Sequence, residues 1–179
     1  MKFVNYSFHH RILDTQRLLL DDCTLYRRHE MKILIVYDSV YGNTEKIAKA
    51  IGDAITGDVK VLRAGEVNSS ELETFDLLIV GSPTHAGRPT RPIQDFLNKA
   101  PAPTFEGTNV AAFDTRFSSK LARIFGYAAG RIAGSLKRKG GTLIASPEGF
   151  FVKGTEGPLK EGEVERAAGW AKEIVESIK

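Results

Sequence analysis

From Lys32 onward, short unbroken apolar runs alternate with stretches whose apolar residues recur every three or four positions. Ile33-Leu34-Ile35-Val36-Tyr37 comes first. It is rich in β-branched residues and lacks alternation, which predicts a strand buried on both faces. Ile47, Ala48, Ile51, Ala54 and Ile55 then share one face of a predicted helix. Val59–Leu62 reads as a short strand, residues 69–74 as a brief helix opened by Ser69 or Ser70, and Asp76–Gly81 as a buried strand. The helix expected over 90–99 points Ile93, Phe96 and Leu97 inward. Pro89 and Pro92 lie at its start, where a missing amide is tolerated, and Pro101 and Pro103 stop it.

Asn109–Phe113 is a fourth strand. Leu121, Phe125, Ala128, Ala129, Ile132 and Leu136 mark a long helix ended by Gly140-Gly141, and Thr142–Ala145 is a fifth strand. Val164, Ala167, Ala168, Ala171, Ile174, Val175 and Ile178 line the last helix. Five apolar strands alternating with helices predict an α/β fold with a doubly wound five-stranded parallel sheet. Spacing alone does not give the strand order.

Length and composition fit one domain with a sizeable core: 179 residues, 42% apolar and 26% charged. No apolar run approaches the roughly 20 residues that span a bilayer. The net charge of +3 reads as a mixed, solvated surface, and it stays positive without residues 1–30. A single cysteine, Cys23, allows no internal disulfide and suits a reducing cytoplasm. Residues 1–30 do not share the pattern. His9, His10, His29 and Cys23 lack metal-ligand spacing, and Leu18-Leu19-Leu20 is far too short for a signal-peptide core. We expect an arm that is disordered or partly helical, around 12–26, and dispensable, with Met31 an alternative start. The domain proper is then 31–179. Lys137-Arg138-Lys139 ends a helix, where cations offset the dipole, so nucleic-acid binding is not expected.

The chemistry-bearing stretch is Asp38-Ser39-Val40-Tyr41-Gly42-Asn43-Thr44, between the first strand and the first helix. The first amides of a helix have no partner inside it, and the dipole there favours an anion. Ser39, Tyr41, Asn43 and Thr44 can add side-chain donors. The turn contains neither Gly-Lys-Ser/Thr nor Gly-x-Gly-x-x-Gly. The loop resembles the phosphate-binding signature of flavodoxins: hydroxyl, any residue, hydroxyl, Gly, Asn, Thr. Ser39, Tyr41, Gly42, Asn43 and Thr44 match it, and Val40 fills the free position. The resemblance implies strand order 2-1-3-4-5, non-covalent FMN, and ligand loops after strands 1, 3 and 4.

The second loop is Gly81–Thr90. Ser82, Pro83 and Thr84 stand where the family carries a hydroxyl-bearing loop, and His85 stands at a ring-stacking aromatic position. Ala86-Gly87 occupies the place of a peptide that turns over in the family when the flavin is reduced. The third loop is Asp114, Thr115, Arg116 and Phe117, expected at the pyrimidine edge, with Phe117 as the second aromatic and Phe125 as core. Here the match is poorest, because Arg116 stands where many flavodoxins have Gly, Asp and Tyr. The stretch 146–154 is expected as a loop, with Phe150 and Phe151 covering the sheet edge; a lid or partner surface is the other reading.

The resemblance implies electron transfer, with chemistry supplied by the flavin and no catalytic side chain required. Arg88 and Arg116, beside the expected ring, favour an anion and raise the potential of the last reduction step. They also imply redox partners with acidic docking patches. The alternative is an FMN-dependent oxidoreductase acting on a quinone, NAD(P)H or a protoporphyrinogen-type substrate. Arg88, Arg91, Arg116 and Lys120 would then hold an anionic substrate, though a solvated basic rim is the simpler reading. A phosphoryl receiver needs an aspartate ending strand 3, where this chain has Gly81-Ser82-Pro83. Donor, acceptor and oligomeric state are left open by the sequence.

Overall fold

The computed structural model describes residues 31–68, 75–117 and 126–178. The arm expected over 1–30, the brief helix over 69–74, and Leu121, Phe125 and Lys120 lie outside the described residues.

The sheet is parallel throughout. β1 (Lys32–Tyr37) is flanked by β2 (Asp58–Arg63) and β3 (Leu77–Pro83), in register Ile33↔Val59 and Ile33↔Leu77. β4 (Asn109–Phe117) lies on the other side of β3, and β5 (Thr142–Leu143) on β4. The order is β2-β1-β3-β4-β5, the order the resemblance implied, with one further strand, β6 (Glu148–Val152), also paired to β4.

Strand pleating explains the unbroken apolar runs. Leu34, Val36, Leu78, Val80, Val110 and Ala112 enter one core layer. Ile33, Ile35, Leu77, Ile79, Ala111 and Phe113 enter the other. The first layer is closed by α2 (Arg91–Lys99) and α3 (Ala128–Arg138), through Ile93, Phe96, Leu97, Ile132 and Leu136. The second is closed by α1 (Asn43–Asp53) and α4 (Glu163–Glu176), through Ile47, Ile51, Ala167, Ala171 and Ile174. Phe113, Phe150 and Trp170 meet edge to face, with centroids 5.9 to 6.2 Å apart. Gly81 makes this packing possible: a β-carbon there would lie 2.0 Å from the Phe113 ring.

The structure departs from the expected elements in four places. β3 runs to Pro83 and β4 to Phe117, beyond the expected ends at Gly81 and Phe113, because the ladder continues through Ser82↔Asp114 and Pro83↔Thr115. The edge strand is broken: Asn109↔Thr142 gives way to Phe113↔Glu148, a register step of two residues across Ile144–Pro147. The stretch expected as a loop over 146–154 is therefore largely β6, and Phe150 is fully buried core. Of the long helix expected from Leu121, the described part starts only at Ala128, as α3, because Gly126 (φ 75) and Tyr127 (φ −131, ψ 158) just before it are not helical. Val164 is 41% exposed, while its neighbour Glu163 is buried. The Glu163 carboxylate accepts from Phe151 N at 2.8 Å and Arg166 Nη2 at 2.5 Å, tying β6 to α4. Among the described residues no helix is long and apolar enough to cross a membrane.

Candidate functional site

The carboxyl ends of β1, β3, β4 and β6 converge on a cleft of about 120 Å3. Ser39, Val40, Tyr41, Asn43 and Thr44 form its first wall. Gly42 does not line it but shapes it: φ 80 lets the chain turn into α1, and the helix has no side-chain cap. The amides of its first turn lack intrahelical acceptors by geometry. Ser39 is buried, and its Oγ is the buried side-chain polar atom with no hydrogen-bond partner among the described residues. Burying a hydroxyl without a partner is costly, so such an atom on a cleft wall marks a place for an acceptor or donor from outside the chain.

Two of the other motif side chains, Asn43 and Thr44, have partners within the protein. Asn43 Nδ2 donates to the Glu156 carbonyl at 2.9 Å. Thr44 Oγ1 and Thr115 Oγ1 share a hydrogen bond of 2.7 Å, joining the start of α1 to β4.

From β3, Pro83, Thr84 and His85 reach the cleft. Thr84 is also structural, since its Oγ1 accepts from Ala128 N at 3.0 Å and so caps α3. Ser82 lies outside the cleft, fully buried, with Oγ accepting from Thr90 N and donating to the Pro83 carbonyl, both at 2.9 Å. Ala86 and Gly87 do not line the cleft either. They are the tip of a tight turn closed by two backbone bonds between His85 and Arg88, at 3.0 and 2.9 Å. Both have positive φ, 46 at Ala86 and 74 at Gly87.

Asp114 to Phe117, expected in a loop, are the last residues of β4. Thr115, Arg116 and Phe117 line the cleft, and Phe117 is 52% exposed. Asp114 does not line it. It is fully buried, accepting from Arg116 Nε at 2.5 Å and from Ala129 N at 2.8 Å. Burial pushes its carboxyl above the ordinary aspartate range; Arg116 and the Ala129 amide pull the other way without cancelling this. Arg116 is thus not the loose cation of the sequence reading. Its charge is paired with Asp114, and its guanidinium stacks 3.8 Å from the Tyr127 ring centroid.

Val152, Gly154 and Thr155 complete the lining. The sequence reading did not place them in the site. Recognising Glu148–Val152 as a parallel strand would have found them, because a chain leaving its carboxyl end must emerge on the ligand side of the sheet. No group of three or more His, Cys, Asp or Glu able to hold a metal occurs among the described residues.

The sequence model of the flavodoxin family matches residues 35–170. The chain belongs to the flavodoxin family. A flavodoxin from Clostridium saccharobutylicum is 26% identical over 83% of this chain and 98% of its own length. An uncharacterized protein of Methanocaldococcus jannaschii is 39% identical over 70 residues, 38% of this chain and only 45% of that protein. Among solved structures, a flavodoxin from the domain Archaea superposes with TM-score 0.68 and 26% identity, over 83% of this chain and 99% of that one. Oxidised flavodoxin 1 of Bacillus cereus gives TM-score 0.68 at 21% identity, over 81% and 97%. The fold also recurs in the rubredoxin:oxygen oxidoreductase of Desulfovibrio gigas, with TM-score 0.63 and 20% identity over 92% of this chain but 42% of that one.

Flavodoxins bind FMN, and this flavodoxin's cleft fits that group's anionic tail. The unpartnered Ser39 Oγ and the uncapped first turn of α1 offer donors on one wall. Tyr41 and Phe117, each about half exposed, and His85 offer apolar or aromatic surface near the mouth.

Proposed function

We propose that this flavodoxin is an electron carrier, holding FMN non-covalently and exchanging electrons with partner proteins. The observation that carries the reading is Ser39 Oγ, buried on the cleft wall with no hydrogen-bond partner among the described residues, beside an uncapped helix start. Bound FMN supplies the redox chemistry. The chain's own residues bind and orient it. Ser39 and the amides of the 39–44 loop would hold the phosphate. His85 and Phe117 would flank the ring, and the ends of β4 and β6 would border it. The likeness to the Clostridium saccharobutylicum flavodoxin, along 98% of that protein's length, supports the carrier reading. We further propose a cytoplasmic setting, which suits the lone Cys23, and redox partners that present acidic residues.

Two measurements test this. Purified protein is expected to be yellow, and the apoprotein to quench the fluorescence of added FMN stoichiometrically. Stopped-flow mixing of the loaded protein with NADH or NADPH alone is expected to leave the flavin oxidised. Colourless, folded protein that ignores FMN would overturn the reading. Rapid reduction by NAD(P)H without a reductase would favour an oxidoreductase with its own small substrate.

A further inference from the structure

Behind the His85–Arg88 turn, α2 and α3 leave a groove of about 200 Å3 between them. Pro89 and Leu97, both buried, form its apolar floor, with Gln94 and Ser135 on its walls. Arg88 and Arg131, both exposed, stand at its edge. Arg63, Arg91, Arg116 and Arg166 each reach a carboxylate. Arg88 and Arg131 reach none among the described residues. Arg138, at the end of α3, shares the lack of a carboxylate partner, but it does not line the groove.

Arg131 is nevertheless held in place. Its Nε donates to the Gly87 carbonyl at 2.7 Å, so the guanidinium is oriented by the turn while its two Nη groups stay available. Gln94 is likewise anchored, through Nε2 to the Pro89 carbonyl at 2.7 Å. A guanidinium already fixed in direction loses less freedom when it takes a carboxylate, and its fork can accept one in two parallel bonds. The groove also adjoins the cleft. His85 lines the cleft, Arg88 lines the groove, and two hydrogen bonds couple them.

We propose that this groove seats an acidic segment of the redox partner, whose carboxylates pair with Arg88 and Arg131. The inference rests on the carrier reading and adds to it a place and two residues. Opposite charge at this position steers the partner to the turn that borders the flavin edge. The apolar floor takes the stem of a Glu side chain, while the rim holds its head.

The test uses the full-length, FMN-loaded protein and hexaglutamate as the acidic probe, with hexalysine as the control. Amide shifts are followed by NMR at low ionic strength. Hexaglutamate is expected to shift Gly87, Arg88, Arg131 and Ser135 saturably, and hexalysine to leave them in place. The double variant R88Q/R131Q is expected to bind hexaglutamate about tenfold more weakly, since two exposed charge pairs are lost. R88K/R131K is expected to keep most of the binding, and salt to weaken it. Equal affinity of wild type and R88Q/R131Q, or shifts confined to another face, would overturn the proposal. Fluorescence quenching of FMN by the same proteins reports separately on the carrier reading: loss of flavin binding in wild type strikes that reading, whereas unaltered hexaglutamate binding in R88Q/R131Q strikes only the groove.

Discussion

Asn43 and Gly157 are packed so closely that a β-carbon on Gly157 would lie 2.5 Å from Asn43 Nδ2. The same Nδ2 donates to the carbonyl of Glu156. Gly157 also has φ +107, a conformation that side chains disfavour. The start of α1 and the segment after β6 are thereby held as one unit, and that segment carries Gly154 and Thr155 into the cleft.

Gly157→Ala is therefore expected to cost about 1–3 kcal/mol of stability, from overlap and backbone strain together. Urea denaturation of the apoprotein measures this. FMN affinity is expected to fall as well, because Asn43 must move and takes the first turn of α1 with it. Fluorescence quenching reads that second effect.

Ser39→Ala separates folding from binding. The hydroxyl has no hydrogen-bond partner among the described residues, so its removal should leave apoprotein stability within about 1 kcal/mol of wild type, or slightly above it. FMN affinity should fall about tenfold or more, the worth of one hydrogen bond to a charged acceptor. Equal losses in both measurements would make Ser39 a structural residue.

The turn at Ala86 carries strain that can be relieved. Its φ of 46 is ordinary for glycine and unfavourable for alanine. Ala86→Gly is expected to raise apoprotein stability by up to about 1 kcal/mol, less whatever the extra freedom of the unfolded chain returns. Thermal unfolding measures the net, and Ala86→Val, which crowds the same backbone further, should go the other way.

Asp114 gives the stability a pH dependence. Its folded-state pKa is raised, chiefly by burial. Between the unfolded and folded values the native state binds more protons than the unfolded one, so this group's contribution falls as pH rises through that window and is greatest below it. Asp114→Asn should flatten that part of the profile while keeping an acceptor for Ala129 N. The readout is the difference in urea midpoints between wild type and variant across the acid range.

How much of the fold and site was legible in the sequence depends on how far each signal reaches. Ile33–Tyr37 announced a strand covered on both faces because burial on two sides leaves no polar alternation to find. The loop from Ser39 to Thr44 was legible because its residue types and their spacing lie within a few positions. Asp114 was not. A polar run after Phe113 reads as a loop, yet the strand continues because the carboxylate finds Arg116 two residues on and the Ala129 amide across the chain. Thr155 was hidden for a similar reason. The Asn43–Glu156 bond that fixes its segment joins residues 113 positions apart, and no local pattern encodes such a partner. β6 escaped because the break at Ile144–Pro147 cut the edge in two: the first piece read as the fifth strand, whereas Glu148–Val152, opening on Glu148-Gly149 after Pro147, carried only a three-residue apolar run.

That break has its own effect on how the protein behaves in a crowded solution. A long, straight outer strand would offer neighbouring molecules a ready row of amides and carbonyls to zip onto. Here β5 offers two residues, Pro147 interrupts, and β6 resumes out of step. The far side of β6 is occupied by the returning chain, through Lys153 N to Pro158 O and Lys160 N to Phe151 O, each at 2.8 Å. The molecule guards itself against self-templated stacking along this border, and it does so beside the mouth of the cleft.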